Sequence, residues 1–117
     1  MTTVIDIGRD FSRTPGGRLI SDGPFSGQLF RDRTLAPALK DAVARGEKVT
    51  VVLDGPRGYL SSFLEEAFGG LVRFRVFDQK QLSGALEIVA RDPFYEPYKR
   101  LALRYISEAK PSAIAAG

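Results

Sequence analysis

Ser61 and Ser62 follow a loop that contains Gly and Pro, and Glu65 lies three residues beyond Ser62 at the S-x-x-E spacing of a helix-capping box. A serine hydroxyl at a helix start accepts a backbone N–H. The free amides at a helix start also favour an anion. Ser62 is therefore a candidate cap, with Ser61 beside it. The loop ahead of the pair adds Asp54, suited to turn chemistry or ligand contact, and Arg57 with Tyr59, a cation and an aromatic anchor for an interface. Glu66 is expected to face solvent or a partner. An adjacent Glu pair on a helix points in two directions, which is poor geometry for acid–base catalysis.

A second constellation lies upstream. Arg18, Asp22, Gly23, Ser26 and Gly27 make a Gly-rich turn running into a Ser-capped helix, an arrangement that can hold an anion with Arg18 adding charge. Neither G-x-x-x-x-G-K-[ST] nor G-x-G-x-x-G is present, so loop geometry is the competing explanation.

The chain has no Cys and no His. That removes disulfides, thiolate nucleophiles, zinc and haem sites of the usual kind, and Ser-His-Asp triads. No nucleophile stands with an identifiable base. The expectation is a non-enzymatic protein without cofactor or metal. The formal charge is +3, with 17 basic and 14 acidic residues interleaved along the chain, so nucleic acid is not the expected partner. No apolar run is long enough to span a bilayer and no basic-then-apolar leader follows Met1, which makes the expected location cytoplasmic.

The elements that must position these residues follow from periodicity. The 117 residues suit one domain. Val4–Ile7 and Arg18–Ser21 are expected as two strands of an antiparallel pair. Ser26 caps a helix with apolar Phe30, Leu35, Leu39, Ala42 and Val43, kinked or broken near residues 33–37 by Pro37 and ended by Gly46. Lys48–Leu53 is a buried strand. The helix after Ser62 buries Phe63, Leu64, Ala67, Phe68 and Leu71. Its Gly69-Gly70 pair costs roughly 1 kcal/mol per Gly, which close packing or a helix end would explain. Val72–Phe77 alternates as a strand, Gln79–Ala85 makes a short helical turn, and Leu86–Arg91 is a last strand. Asp92-Pro93 opens a helix with Phe94, Tyr98, Leu101, Tyr105 and Ala109 on one stripe. Residues 111–117 are expected to be a flexible tail. The expected architecture is α/β, a mixed sheet of about five strands in the order β-β-α-β-α-β-α-β-α, with helices mainly on one face.

This order resembles the STAS fold of anti-sigma-factor antagonists and sulfate transporter tails. The residues resemble more closely a bacterial family of STAS-like domains of unknown function. The stretches that carry the likeness are Asp10-Phe-Ser-Arg-Thr-Pro-Gly-Gly-Arg18, Asp22-Gly-Pro-Phe-Ser-Gly-Gln-Leu-Phe-Arg31, Leu53-Asp54 and Ser61-Ser-Phe-Leu-Glu-Glu-Ala-Phe-Gly-Gly-Leu71. The resemblance implies a regulatory or signalling domain over residues 1–110. It also implies a protein partner of the GHKL-type ATPase or kinase class, and phosphorylation at Ser62. The family's preceding Asp is absent here, and Phe63 replaces the small Gly of its motif. The alternative is small-ligand or nucleotide sensing in the same strand-end crevice.

Overall fold

Three β-branched-rich runs form the sheet, and all three run parallel. In the computed structural model, which describes residues 2–112, β1 (Thr2–Asp6), β2 (Lys48–Val52) and β3 (Leu86–Val89) lie in that order. Ile5 stands beside Val51, and Val51 beside Ile88. This row is buried. The adjacent row on the other face, Val4, Thr50 and Glu87, is half-buried or exposed, and the Thr50 hydroxyl donates to Glu87 (3.1 Å). The period of two thus turns one face of the sheet to the helices and leaves the other exposed at Val4 and Glu87, while Val52 at the C-terminal end of that face is buried.

Parallel neighbours require crossovers, and helices supply them. Between β1 and β2, α1 (Gly27–Phe30), a wide π-type turn (Arg31–Leu35) and α2 (Ala36–Arg45) run on as one helical stretch. The Ser26 hydroxyl caps it by accepting the Leu29 amide (3.1 Å), and Gly46 ends it at φ 66°. The expected disturbance near residues 33–37 is this wide turn, in which the Ala36 amide reaches back to the Arg31 carbonyl. Pro37 sits exposed just after it, in the first turn of α2.

Between β2 and β3, α3 (Ser61–Leu64), a second π-type turn (Glu65–Gly69) and α4 (Gly70–Arg73) again form one continuous stretch, followed by α5 (Gln79–Ala85). Asp92 accepts the Phe94 amide (2.8 Å) and leads through a 3-10 turn (Pro93–Tyr95) into α6 (Glu96–Glu108). The core is aliphatic and aromatic: Phe30, Phe63 and Phe68 are fully buried with Leu35, Leu39, Leu53, Leu64 and Leu71. On α6 the buried positions are Ala102 and Ile106. Tyr98, Leu101, Tyr105 and Ala109 lie partly buried against the core, while Phe94 is exposed.

Two expected strands do not form, so the mixed five-stranded sheet is corrected to three parallel strands. Residues 18–21 belong to a loop closed on itself. Gly27 and Gln28 donate to the Gly17 and Arg18 carbonyls (2.9 and 3.0 Å), and Gly16 donates to Phe25 (2.9 Å). Backbone groups that a strand partner would need are thus taken by the start of α1, and Ile20–Asp22 is a 3-10 turn. Residues 72–77 are not a strand either. Val72 and Arg73 finish α4, Arg75 takes φ 60°, and the Val76 and Phe77 amides fold back on the Leu71 carbonyl (3.0 and 3.1 Å). Of the expected tail, Ser112 is tied to the Arg73 carbonyl (2.8 Å) and residues 113–117 lie outside the described residues. No helix among the described residues is long and apolar enough to cross a membrane.

Gly27 lets α1 touch α3. A Cβ there would stand 2.5 Å from the Phe63 carbonyl oxygen, a backbone atom with nowhere to go. Gly27→Ala is therefore expected to destabilise the fold by about 1–3 kcal/mol. A thermal melt that matches the parent chain would show that the two helices separate freely.

Candidate functional site

The C-terminal edge of the sheet gathers the loop after β1, the loop after β2 and the start of α3. The loop after β2 is tightly held. Both carboxylate oxygens of Asp54 accept backbone amides, from Arg91 and Asp92 (2.8 Å each), so this side chain fastens the end of β2 to the segment after β3. The Tyr95 hydroxyl donates to the Pro56 carbonyl and accepts the Gly55 amide (3.2 Å). Tyr59 folds back and donates to the Leu53 carbonyl (2.6 Å). Tyr59 is only 8% exposed, which corrects its expected role as an exposed anchor. Its hydroxyl pKa is pushed up by burial, with the nearby Tyr95, Asp54 and Asp6 adding to the effect. The exposed groups of this loop are Arg57 and Leu60, the latter 62% exposed.

At the helix start the expected cap shifts by two residues. Leu60 is the N-cap, with extended backbone (ψ 144°), and Ser61 begins α3. Ser62 is thus inside the first turn, half-buried, and its hydroxyl does not cap. Ser61 is exposed beside it. The S-x-x-E spacing is real, but Glu65 is drawn away by charge.

Glu65 and Glu66 meet three arginines. Arg31 reaches across from the wide turn after α1 and donates through Nη1 to the Glu66 carboxylate (2.5 Å) and carbonyl (2.9 Å). Arg18 bonds Glu65 and also reaches Glu66 (3.1 Å). Arg73 bonds Glu65 and Glu66, the latter at 3.0 Å. Arg31 and Glu66 are both 2% exposed, so Glu66 is an interior residue rather than the solvent-facing one expected. Arg31 and Arg73 also stand over the Phe74 ring, at 4.7 and 4.8 Å from its centroid. The Gly69-Gly70 pair is explained here. A Cβ on Gly70 would strike the Arg31 guanidinium, and one on Gly69 would come within 2.8 Å of the Glu65 carboxylate.

The upstream constellation is also resolved. Ser26 is fully buried as a helix cap, Gly27 is packed against Phe63, and the Arg18 side chain turns to the two glutamates. The first amides of α1 are consumed by Gly17, Arg18 and Ser26, which leaves no cradle for an anion there. Among the described residues no cluster of acidic side chains is placed to hold a metal ion.

Aromatic rings continue beneath the edge. Phe25 packs edge-on against Phe11 (5.8 Å between centroids), Phe11 approaches Phe63 (6.2 Å), Phe63 approaches Tyr59 (5.8 Å), and Tyr59 meets Tyr98 (5.4 Å), which meets Phe94 (5.9 Å). The row surfaces at both ends, with Phe25 37% and Phe94 54% exposed. Exposed Leu19 and Ile20 lie in the same self-closed loop as Phe25. Periodicity gave no sign of the row, because its six members lie on six separate segments.

Residues 26–79 match the model of a family described as a STAS-like domain of unknown function (DUF4325). The matched stretch begins at the cap of α1 and ends at the first residue of α5, so it contains the π-type turns Arg31–Leu35 and Glu65–Gly69 and the Arg31–Glu66 pair, but not the π-type turn Ile7–Phe11. No curated protein and no solved structure matches the chain.

Glu66→Ala is expected to cost roughly 3–5 kcal/mol by removing the buried carboxylate that Arg31 shares with Arg18 and Arg73. The double substitution Arg31→Met, Glu66→Leu should recover most of that loss in urea unfolding. An additive double variant would mean that the pair does not act as a unit. Acid acts on Glu65. Burial raises its pKa, but hydrogen bonds and charge from Arg18 and Arg73 outweigh that and hold it below the usual carboxylate range. Its contribution is present above the unfolded carboxyl pKa of about 4.5 and is lost as pH falls through the lower folded value. Glu65→Gln should therefore flatten the fall in stability below that pH, as followed by circular dichroism.

Proposed function

We propose that this STAS-like chain is a non-enzymatic binding module whose partner is a protein, docked at the edge formed by Leu60, the first turn of α3 and the flanking loops. The resemblance to regulatory STAS domains favours a GHKL-type ATPase or kinase as that partner. The observation that carries the reading is Leu60. A large aliphatic side chain at a helix start is 62% exposed, although its loop is anchored by Asp54, Tyr59 and Tyr95. Exposed Phe25 and Phe94 lie at the two ends of the aromatic row that passes beneath the same edge. Rigid presentation of apolar side chains lowers the ordering cost of association.

Ser62 and Ser61 are the candidate switch within this reading. Ser61 is exposed and Ser62 half-buried, both in the first turn. A phosphate on either would add charge and bound water to an apolar contact and oppose docking by desolvation. Arg57 on the adjoining loop is exposed and suited to a carboxylate on the partner.

The test uses a purified GHKL-type ATPase from the same genome and biolayer interferometry. Leu60→Asp is expected to weaken binding by about tenfold or more, as for a central apolar anchor. Ser62→Asp should weaken it and Ser62→Ala should not, with mass spectrometry of host-purified protein locating the phosphate. Equal binding by the parent chain and Leu60→Asp would overturn the docking face. Equal binding by the two Ser62 variants would remove the switch alone.

A further inference from the structure

The sheet has a lateral edge that the docking reading does not use. β1 is the outer strand of the order β1-β2-β3, and β2 is its strand partner. The ladder decides which of its backbone groups are left over. The Leu53 amide donates to the Val89 carbonyl (2.9 Å), so the chain turns Leu53 to β3 and, by alternation, Val52 to β1. Val52 aligns with Asp6, and in a parallel ladder its bonds go to the residues on either side of Asp6. Asp6 therefore points away from the sheet, and its amide is taken by the Asp10 carboxylate (2.8 Å). Val4 and Thr2, spaced by two along the same strand, turn their amides and carbonyls the same way. Among the described residues nothing bonds these outward groups.

This edge lacks the devices that keep such a row from pairing. Thr2, Thr3, Val4 and Ile5 are all β-branched, and none is charged, Pro or Gly. Val4 is 47% exposed. β3, the opposite outer strand, carries the exposed Glu87 in its interior. Charge selects how two copies of the β1 edge would meet. Lys48 is in register with Thr2 at one end of the strands, Asp6 stands at the other end, and all three lie on the face away from the helices. Lys48 is exposed and makes no ion pair with any described residue. Parallel pairing of two copies would set Asp6 against Asp6. Antiparallel pairing exchanges the ends and brings Lys48 towards the partner's Asp6.

We propose that β1 is a self-association edge: two copies of this chain pair antiparallel through Thr2–Asp6 about a two-fold axis at Val4, joining three strands from each into one continuous sheet. Val4 exchanges its amide and carbonyl bonds with the partner's Val4, and each Thr2 amide donates to the carbonyl of the partner's Asp6. The Asp6 amide, already bonded to Asp10, is not required. The axis is perpendicular to the sheet, so both helical layers fall on one face and the contact closes on itself without room for a third copy. On the other face Lys48 lies two strand spacings, roughly 10 Å, from the partner's Asp6, within the combined reach of the two side chains. A five-residue edge is a small contact, of the class below about 1,200 Å² that associates weakly and reversibly.

The test is sedimentation equilibrium of the untagged whole chain from about 10 μM to about 1 mM, the range of a weak dimer, with hydrogen exchange of the Val4 amide at both ends of that range. The parent chain is expected to pass from monomer to dimer, and its Val4 amide to exchange about fivefold or more slowly in the dimer. Val4→Lys sets like charges against each other at the axis, and Val4→Pro removes the outward donor without touching a bond to β2. Both should be monomers with the parent's circular dichroism. Leu60→Asp should leave the dimer unchanged. The proposal is overturned if the parent chain is a monomer throughout, if folded Val4→Lys dimerises as the parent does, or if the Val4 amide exchanges equally fast in monomer and dimer. It is also overturned if Leu60→Asp abolishes the dimer, which would assign association to the docking face. A monomeric parent chain that binds the ATPase through Leu60 would refute the β1 edge and spare that face.

Discussion

A single buried ion pair, Arg31 with Glu66, governs how the two long helical stretches of this protein meet. Removing two charges from water is expensive, and the attraction between them repays it only with good geometry and further hydrogen bonds. Both conditions are met. Glu66 takes hydrogen bonds from Arg18, Arg31 and Arg73, and Arg31 also reaches the Glu66 carbonyl and Asp32. Each partner belongs to, or borders, a widened helical turn. The turn after α1 starts at Arg31, and the turn after α3 starts at Glu65. In the second stretch Gly70 clears the space that the guanidinium occupies, and Gly69 clears the approach of the Glu65 carboxylate. A sliding of one helix past the other would break the pair, so the charges set the register while the aromatic and aliphatic side chains around them supply the burial.

That register fixes the edge that carries the candidate docking face. Gly27 rests on the Phe63 carbonyl, so the loop bearing Leu19, Ile20 and Phe25 is held beside the first turn of α3. The loop after β2 is anchored independently, through Asp54, Tyr59 and Tyr95, to Leu53, Pro56 and the amides after β3. The result is an edge whose exposed apolar groups stand on a scaffold that does not need a visitor to order it.

Much of the fold follows from local patterns. Ser26, Asp92, Gly46 and the apolar spacing from Phe30 to Ala42 mark helix starts, stops and buried faces that appear in the structure, while Val43, expected on the same buried face, is exposed at its edge. Lys48–Leu53 reads as an interior strand, and Lys48–Val52 forms one. The misreadings have physical reasons. Val72–Phe77 alternates with period two, but Gly69 and Gly70 pass through the helix without ending it, because they serve packing across the interface. Ser62 and Glu65 have the spacing of a capping box, yet an ion pair with two arginines outweighs the gain from a reciprocal cap. Glu66 looked like a surface residue because its partners, at positions 18, 31 and 73, are distant or belong to other elements. The Gly69-Gly70 pair was the available clue: two glycines inside an apolar helix mark a place where something large must approach.

The all-parallel pairing dictates an order of events when the chain is made. Thr2 aligns with Lys48, and Val49 with Leu86. The first strand therefore leaves the ribosome with no β partner, and must wait for some forty more residues before one exists. Its Ile5, buried in the finished fold, stays uncovered through that interval. The first helical stretch is complete earlier, but its Arg31 has only the neighbouring Asp32 to meet until Glu66 emerges. Translation speed between these two landmarks, rather than the stability of the finished molecule, then sets how long a nascent chain spends open to mispairing.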